Sequence, residues 1–261
     1  MGLKEKEMWN RMADHFQNII EEDNGGHPER LLAFLEEKGA LKPGIRIADI
    51  GCGAGKYAIR FAKMGCDLFL LDIAENMMAY TKQNLAAYPV STEAAVCDWA
   101  ETDVIQEGWE KSVDLAFAAM SPAIVTKEAL QKQCAIARKH CFISKFYKLD
   151  NLLVRSAAQH LGLEVPPYSG EDFWKKLTQW LLEDGYLPEI RFDSYGWVNE
   201  YSVEQALDAV MRSDLGSRIA EKNLQQELQQ YLQSIVGADG IIQENVNAKV
   251  FMLFWDVNVR L

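Results

Sequence analysis

The 261-residue sequence lacks any apolar run of about 18 residues, the length that a membrane-spanning helix requires. Its first residues, MGLKEKEMWN, are charged and lack the apolar core of a secretory signal. We therefore expect no membrane segment and no leader, and a cytoplasmic location.

Basic residues are few compared with acidic ones: 27 Lys and Arg stand against 38 Asp and Glu, a net charge of −11. Nucleic acids and anionic membranes are both recognised by clustered Lys and Arg. The charge therefore argues against a nucleic acid and against a membrane, and it favours a small-molecule substrate. The oligomeric state is not indicated.

Cysteine and histidine are also scarce, and neither shows the spacing of a metal site. No two cysteines form a CxxC pair, and no histidines stand at i, i+4 or as HxH. We expect no bound metal, and we expect free thiols in a reducing compartment. The residues are Cys52, Cys66, Cys97, Cys134 and Cys141, with His15, His27, His140 and His160.

Apolar strands alternate with amphipathic helices through the first 146 residues, which is typical of a parallel sheet covered on both faces. Two further strands follow among added helices. The fold class predicted is α/β, a doubly wound, mostly parallel seven-stranded sheet with helices on both faces and an added helical cap. The predicted strands are 46–50, 67–72, 92–97, 113–120, 140–146, 189–198 and 249–257.

The predicted organisation has four parts. Two N-terminal helices occupy 1–44 and cover a cofactor site, and a Rossmann-like core occupies 45–146. A helical cap insertion occupies 147–188. The last strands of the core occupy 189–261, with a helical insertion at 202–236. That insertion begins with a helix at 202–212, and residues 215–236 form one long polar helix or two.

The segment IADIGCGAGKYAIRF places a glycine turn between the first strand and the next helix. A dinucleotide-binding GxGxxG motif would need glycine at position 56, which is Lys56. The turn instead has Gly51, Gly53 and Gly55, with Asp49 two residues before it. This spacing argues against a dinucleotide-binding oxidoreductase.

The segment ADIGCGAG resembles motif I of the class I S-adenosylmethionine-dependent methyltransferases. The resemblance covers roughly residues 45–146, and it implies S-adenosyl-L-methionine as cofactor. It implies that Asp49 lies near the cofactor's amino group and that Asp72, with Ile73, holds the ribose hydroxyls. Gly51, Cys52 and Gly53 are expected to pass close to the cofactor, where a Cβ atom would clash.

Two further segments extend the resemblance. In AVCDWAE, Asp98 corresponds to the acid that contacts the adenine amine, and Trp99 could pack on the base; a helix cap and ordinary core packing are the alternatives. In VDLAFAAMSPAI, Ala119 and Met120 are expected beside the methionine portion of the cofactor. The amino-group methyltransferase motif Asn/Asp-Pro-Pro-aromatic is absent after Met120.

Candidate substrate contacts are weaker. MWNRMADHF is similar to the first helix of many small-molecule methyltransferases, so Trp9 and Phe16 are candidate lid residues; packing of an amphipathic helix is the alternative. Strand ends supply the remaining candidates. Lys145 could contact an anionic substrate, and the favoured alternative is a strand-end lysine whose ammonium reaches solvent. These remaining candidates are Ser121, Lys145, Tyr147 and Tyr195.

The function predicted is in-line transfer of a methyl group from S-adenosylmethionine to a small molecule. The methyl group is already activated by its sulfonium, so the protein must mainly align the acceptor and exclude water. No catalytic residue is identified for this reason, and the atom methylated is open. A catalytically inactive cofactor-binding module is one alternative, and an NAD-dependent oxidoreductase is another.

Overall fold

A computed structural model describes residues 2–20, 24–165, 170 and 172–261. By their contacts the residues form two compact units. The first unit comprises Met1–Lys145, Trp174–Phe192 and Phe251–Leu261, and the second comprises Phe146–Phe173 and Asp193–Val250.

The described residues form ten α-helices, a short 3₁₀ turn at Asn24–Gly26 and seven strands. The helices are α1 Leu3–Asn18, α2 His27–Glu37, α3 Lys56–Lys63, α4 Glu75–Leu85, α5 Lys127–Ile136, α6 Leu152–His160, α7 Phe173–Glu183, α8 Val203–Arg212, α9 Gly216–Glu221 and α10 Gln225–Ile235. The strands are β1 Arg46–Ile50, β2 Asp67–Asp72, β3 Thr92–Val96, β4 Val113–Ala119, β5 Ala137–Asn151, β6 Glu189–Tyr201 and β7 Ile242–Asp256.

The strands form one seven-stranded sheet in the order β3-β2-β1-β4-β5-β7-β6. Strand β1 pairs in parallel with β2 on one side and β4 on the other, and β2–β3 and β4–β5 are also parallel. The predicted α/β fold is confirmed. The chain order reverses between β1 and β4, and the crevice at such a reversal is where open α/β sheets bind ligands.

The central strands are buried on both faces, as their continuous apolar sequences predict. Ile47, Ala48 and Ile50 of β1 have no exposed surface. Phe117 of β4 stacks on Phe142 of β5 with ring centroids 5.2 Å apart. Helices on each face bury this sheet and fix the positions of the strand ends that carry the candidate site.

The second unit has a hydrophobic core of its own, formed by helices α6, α8, α9 and α10 with the start of β7. The predicted insertion 202–236 lies entirely in this unit and contains α8 and two further helices, α9 and α10. Between α9 and α10, Asn223 has a φ of +56°, which ends the first of them.

The predicted cap segment 147–188 is divided between the units, because α7 belongs to the first. The Lys127 ammonium on α5 pairs with Glu183 at 2.8 Å and with Asp184 at 3.0 Å, and these contacts hold the end of α7. A role for any of these helices in covering a bound cofactor stays a prediction.

Strands β5, β6 and β7 are longer than predicted. The largest shift of a single end is in β7, which begins at Ile242 where 249 was predicted. Its first residues alternate buried and exposed, and Glu244 is among the buried ones. Glu244 accepts hydrogen bonds from Asn199 at 2.6 Å and from Tyr201 at 3.1 Å. A buried polar residue interrupts the apolar run by which a buried strand is recognised in a sequence, so the first part of β7 was not predicted.

Candidate cofactor site

The glycine turn follows β1 at the reversal of strand order. The backbone N–H groups of Gly51 and Cys52 both donate to the Leu71 carbonyl, at 2.7 and 3.1 Å. The turn is thereby fixed to the end of β2, next to Asp72. Gly51, Gly53 and Gly55 have φ values of +75°, +56° and +96°, which L-residues rarely adopt.

The three glycines meet different surroundings. A Cβ atom on Gly51 would lie 2.1 Å from the Ser121 hydroxyl oxygen, and one on Gly55 would lie 3.1 Å from Thr81. A Cβ atom on Gly53 would meet nothing within 4 Å. Of the three, Gly53 is therefore the one that faces open space where a ligand fits.

We expect this difference to separate two variants. Gly51→Ala should lower the free energy of unfolding by several kcal/mol, since the left-handed φ costs about 1–2 kcal/mol and the clash with Ser121 adds to it. Gly53→Ala should lower the free energy of unfolding only by the cost of the left-handed φ. It should, however, weaken the binding of S-adenosylhomocysteine by about tenfold or more. Urea unfolding and calorimetric titration measure the two effects. Added Ser121→Gly should restore part of the stability of Gly51→Ala; no recovery would contradict the packing argument.

Asp72 ends β2 with its carboxylate held in place by the backbone. Oδ2 accepts from Gly53 N at 2.8 Å, and Oδ1 accepts from Ala74 N at 2.9 Å. The side chain is 9% exposed, and burial raises its pKa although these hydrogen bonds oppose the rise. Each oxygen keeps a second lone pair, so the oriented carboxylate can still accept from a diol.

Asp49 lies at the end of β1 and is more deeply buried, at 3% exposed. Its Oδ2 has no hydrogen-bond partner among the described residues. Burial, and then repulsion from Asp72, raises the pKa of Asp49 to about 8. A buried carboxylate without a partner is costly. A cationic amino group beside it would supply the missing donor and charge, which fits the methionine end of S-adenosylmethionine.

Asp98 and Trp99 follow β3. Asp98 is half-buried, and its Oδ1 accepts a hydrogen bond from Ala100 N at 3.0 Å. It therefore caps a local turn, whereas the alternative role from the sequence was the cap of a helix. Trp99 is 4% exposed, and its indole N–H donates to the Ala129 carbonyl of α5 at 3.1 Å. The indole is thus fixed within the core, and contact of either residue with adenine stays a prediction.

The end of β4 has strained backbone. Met120 has a φ of +54°, and its N–H donates to the Ser144 carbonyl at 2.8 Å. Such strain in a residue other than glycine clusters at functional sites. Ala119 beside it is half-buried, while Ser121 is 2% exposed and accepts from Ala123 N at 3.2 Å. Ser121 therefore has a packing role, and its contact with a substrate stays a prediction.

Two residues of α4 that hold the glycine turn were not predicted. Thr81 donates from Oγ1 to the Gly53 carbonyl at 2.6 Å, and Asn84 donates from Nδ2 to the Ala54 carbonyl at 3.0 Å. Their spacing of i and i+3 puts both on one helix face, which was the available sequence signal. Cys52 lies beside them, its sulfur 4.0 Å from Thr81 Oγ1, and burial raises the pKa of its thiol.

Helix α1 packs along α4 through polar side chains. Asn76 donates to Asn10 twice, from its backbone N–H to Oδ1 at 2.9 Å and from its side-chain amide to the backbone carbonyl at 3.2 Å, and Tyr80 donates to Asp14 at 2.6 Å. The candidate lid residues Trp9 and Phe16 are half-buried on α1, with ring centroids 6.0 Å apart. These contacts support the packing alternative for α1, and a lid role for the two aromatic residues stays a prediction.

The remaining candidate substrate residues are divided between the units. Lys145 is the last residue of the first unit, and burial lowers the pKa of its ammonium to about 8. Tyr147 and Tyr195 belong to the second unit, where Tyr195 lies 5.7 Å from Trp197 between ring centroids. Their roles toward a substrate stay predictions.

No helix in the part of the chain that the structure describes is long and apolar enough to cross a bilayer. The same residues contain no group of three or more His, Cys, Asp or Glu side chains arranged to hold a metal ion.

Comparison with known proteins agrees with this geometry. Residues 47–141 match the family model described as a methyltransferase domain. In structure, the chain is similar to a phosphoethanolamine N-methyltransferase 2 of Haemonchus contortus solved with S-adenosylhomocysteine, with a TM-score of 0.53 and 16% identity over 97% of this chain and 58% of that one. A protein of Bacillus halodurans described as a methyltransferase gives a TM-score of 0.51 at 13% identity, over 87% of this chain and 98% of that one.

In sequence, the chain is 29% identical over 161 residues to a ribosomal protein L11 methyltransferase of Caldicellulosiruptor saccharolyticus. The match covers 60% of this chain and 49% of that relative, so the chain spans about half the length of the relative it matches. A ribosomal protein L11 methyltransferase of Exiguobacterium sibiricum is 33% identical over 31% of this chain and 28% of its own.

These names correct the prediction of a small-molecule partner, because the relatives are named for a protein acceptor. The prediction failed because it rested on net charge and on helices taken as a cap. Net charge bears on the sign of a partner's charge but not on its size, and the helices do not identify the surface that an acceptor contacts.

The glycine turn, the two buried acids behind it and the match over 47–141 agree with one another. Residues 47–141 match the methyltransferase-domain family, and the sheet has the Rossmann-like fold of solved S-adenosylmethionine-dependent methyltransferases.

Proposed function

We propose that this protein catalyses methyl transfer from S-adenosylmethionine to an acceptor by in-line displacement. The observation that carries the proposal is the unpartnered carboxylate oxygen of Asp49, buried beside a glycine turn whose Gly53 faces open space. When bound, the cofactor supplies a methyl group activated by its sulfonium.

In this proposal the chain's own residues position the reaction. Asp49 attracts the amino group of the cofactor, and Asp72, whose carboxylate is held by Gly53 and Ala74, accepts from the ribose hydroxyls. Alignment of the reacting atoms is worth about 7–11 kcal/mol in favourable cases, so no general base is required for an acceptor that arrives unprotonated. We also propose a cytoplasmic location, where the cysteine thiols of the protein stay reduced.

Binding is tested first by thermal unfolding. S-adenosylhomocysteine at about 100 times its dissociation constant should raise the Tm by about 5 °C or more, while NAD and NADP at equal concentration should not. Asp67→Ala, at the far end of β2 from the turn, should respond like the unmodified chain. A Tm raised by NAD and unchanged by S-adenosylhomocysteine would refute cofactor binding.

For the acceptor, we propose a basic polypeptide. The names of the relatives support a protein acceptor, and the net charge of −11 favours association with a positively charged partner. S-adenosylmethionine labelled in its methyl group, incubated with a ribosomal protein fraction and separately with a small-molecule extract, distinguishes acceptors. Label in one basic protein supports the proposal, and label only in small molecules overturns this acceptor. No label in either fraction, with binding intact, supports the inactive binding module.

A further inference from the structure

A cleft in the first unit lies at the amino-terminal end of β4, the opposite end of that strand from Met120. It has a volume of about 390 Å³ and opens to solvent. This volume lies within the range of about 300–1,000 Å³ that is typical of small-molecule sites. Helix α5 forms one side of the cleft, and the residues after α7 form another. The polar residues that line it are Lys111, Gln131, Asp184, Tyr186 and Arg260.

Arg260 is held in one place in this cleft. Its backbone forms an antiparallel bridge with Tyr186, and the N–H of Leu261 donates to the Gly185 carbonyl at 2.8 Å. Its guanidinium lies 3.5 Å from the centroid of the Tyr186 ring, and Nη1 donates to the Asp184 carbonyl at 2.7 Å. The guanidinium forms no ion pair with a carboxylate of any described residue. Further N–H groups of this planar fork therefore remain for an anion.

Lys111 supplies a second cation from a strained position just before β4. Its φ is +49°, in the left-handed region that residues other than glycine rarely adopt, and its N–H donates to the Ala135 carbonyl of α5 at 3.0 Å. The residue is exposed, and its ammonium forms no ion pair within the described part of the chain. Glycine would adopt this φ without strain, and strain of this kind clusters at functional sites. A use for the ammonium accounts for a lysine at this position.

The acid that lines the cleft is already paired. The Asp184 carboxylate lies 3.0 Å from the Lys127 ammonium and accepts from the Gln131 amide at 2.8 Å. Burial opposes its ionisation, but these two contacts hold the pKa of Asp184 below its ordinary value, so it is ionised at neutral pH. Its charge is opposed by a cation, Lys127, that also pairs with Glu183 at 2.8 Å. The two other cations of the cleft have no such partner, so the cleft is suited to an anion although the whole chain has a net charge of −11.

We propose that this cleft binds a small phosphomonoester, with Lys111 and Arg260 holding its phosphate group. Arginine presents a planar fork that matches phosphate oxygens, and lysine supplies a point charge. The volume of the cleft leaves room for an organic body beside the buried Cys134. The inference is independent of methyl transfer.

Two neutral donors in the same cleft favour phosphate over a carboxylate. They are the Tyr186 hydroxyl and the second N–H of the Gln131 side-chain amide. Burial raises the pKa of Tyr186 to about 12, so its hydroxyl is protonated at neutral pH. A phosphate group has more acceptor oxygens than a carboxylate, and it can therefore meet more of these donors together with the two cations.

Binding is tested on the full chain by calorimetric titration with phenyl phosphate, near neutral pH and at low ionic strength in a phosphate-free buffer. We expect a dissociation constant of about 1 mM or lower, since two charge-assisted contacts contribute. Benzoate has the same ring with a carboxylate and should bind at least about tenfold more weakly. No binding of phenyl phosphate at about 10 mM, or equal binding of benzoate, would overturn the inference.

Three variants locate the phosphate. Lys111→Gln and Arg260→Gln should each weaken the binding of phenyl phosphate by about tenfold or more, and Arg260→Lys should bind with intermediate affinity because it keeps the charge but loses the fork. Lys249→Gln is the matched control, since Lys249 is exposed in the second unit and the change in net charge is the same. Unchanged affinity in the cleft variants, or an equal loss in Lys249→Gln, would overturn the inference.

Lys111→Gly separates the strain from the charge. It removes the ammonium as Lys111→Gln does, but glycine adopts the left-handed φ without strain. It should therefore bind phenyl phosphate as weakly as Lys111→Gln while unfolding at a higher urea concentration. Because Lys111 is exposed, both variants should fold, and they keep the test decisive if Arg260→Gln does not. Affinity retained in Lys111→Gly would overturn the role of the ammonium.

Discussion

Asp72→Ala should weaken the binding of S-adenosylhomocysteine by at least about 100-fold, because two hydrogen bonds to a charged group are worth about 1.5–3 kcal/mol each. The same change removes the acceptor of the Gly53 and Ala74 N–H groups, which the structure places at 2.8 and 2.9 Å. The turn therefore loses both its contact with the ligand and its own support. Calorimetric titration measures the affinity, and circular dichroism reports on the fold.

A matched pair of variants separates these two losses. Asp67 begins the same strand, and its Oδ1 accepts from Ser91 N at 3.1 Å, so Asp67→Ala also removes an acid that caps a backbone N–H. It should leave the affinity unchanged. Asp72→Asn keeps one oxygen acceptor and should bind with intermediate affinity. Equal affinity for Asp72→Ala and the unmodified chain would show that another group holds the ribose.

The stability of the free protein should fall as pH rises from about 4 to about 8, through Asp49. Its ordinary pKa is 3.8, and in the folded chain burial raises it to about 8. Between these values the folded chain keeps a proton that the unfolded chain has released, so each pH unit costs up to about 1.4 kcal/mol. Asp49→Asn should remove this slope and be the more stable chain at pH 8. Urea unfolding at pH 5 and pH 8 measures the difference.

Ligand binding should show the opposite trend. A cationic amino group beside Asp49 favours the carboxylate, so binding releases the proton and affinity should rise with pH from 6 to about 8, by up to about tenfold for each pH unit. Asp67→Asn should keep that dependence, and Asp49→Asn should lose it. An unchanged dependence in Asp49→Asn would place the amino group elsewhere.

Much of the fold could be predicted because its central strands obey a simple rule. Strands buried on both faces are continuous apolar runs, and β1 and β2 begin and end where the sequence predicts. The first part of β7 breaks that rule, since Glu244 is buried there and satisfied by Asn199 and Tyr201, which are distant in sequence. Such a partnership exists only after folding.

The candidate site likewise contains residues that could be predicted from the sequence and residues that could not. Asp49 and Asp72 could be found because strand ends and a glycine turn give their places in the sequence. The contacts that hold the turn come from Thr81 and Asn84, whose polar side chains look like any helix surface until α4 is docked. The acceptor could not be predicted, because its recognition depends on a surface that no motif encodes.

Asn84 has one further consequence. Its amide both supports the Ala54 carbonyl in the glycine turn, at 3.0 Å, and exchanges hydrogen bonds with Gln17 of α1, at 2.8 and 3.1 Å. One side chain thus joins the docking of the N-terminal helix to the order of the turn. Because linkage is reciprocal, a ligand that orders the turn also tightens α1, and loosening α1 weakens the ligand by the same coupling free energy. The packing of the N-terminal helix α1 therefore contributes to the affinity of the site for its ligand.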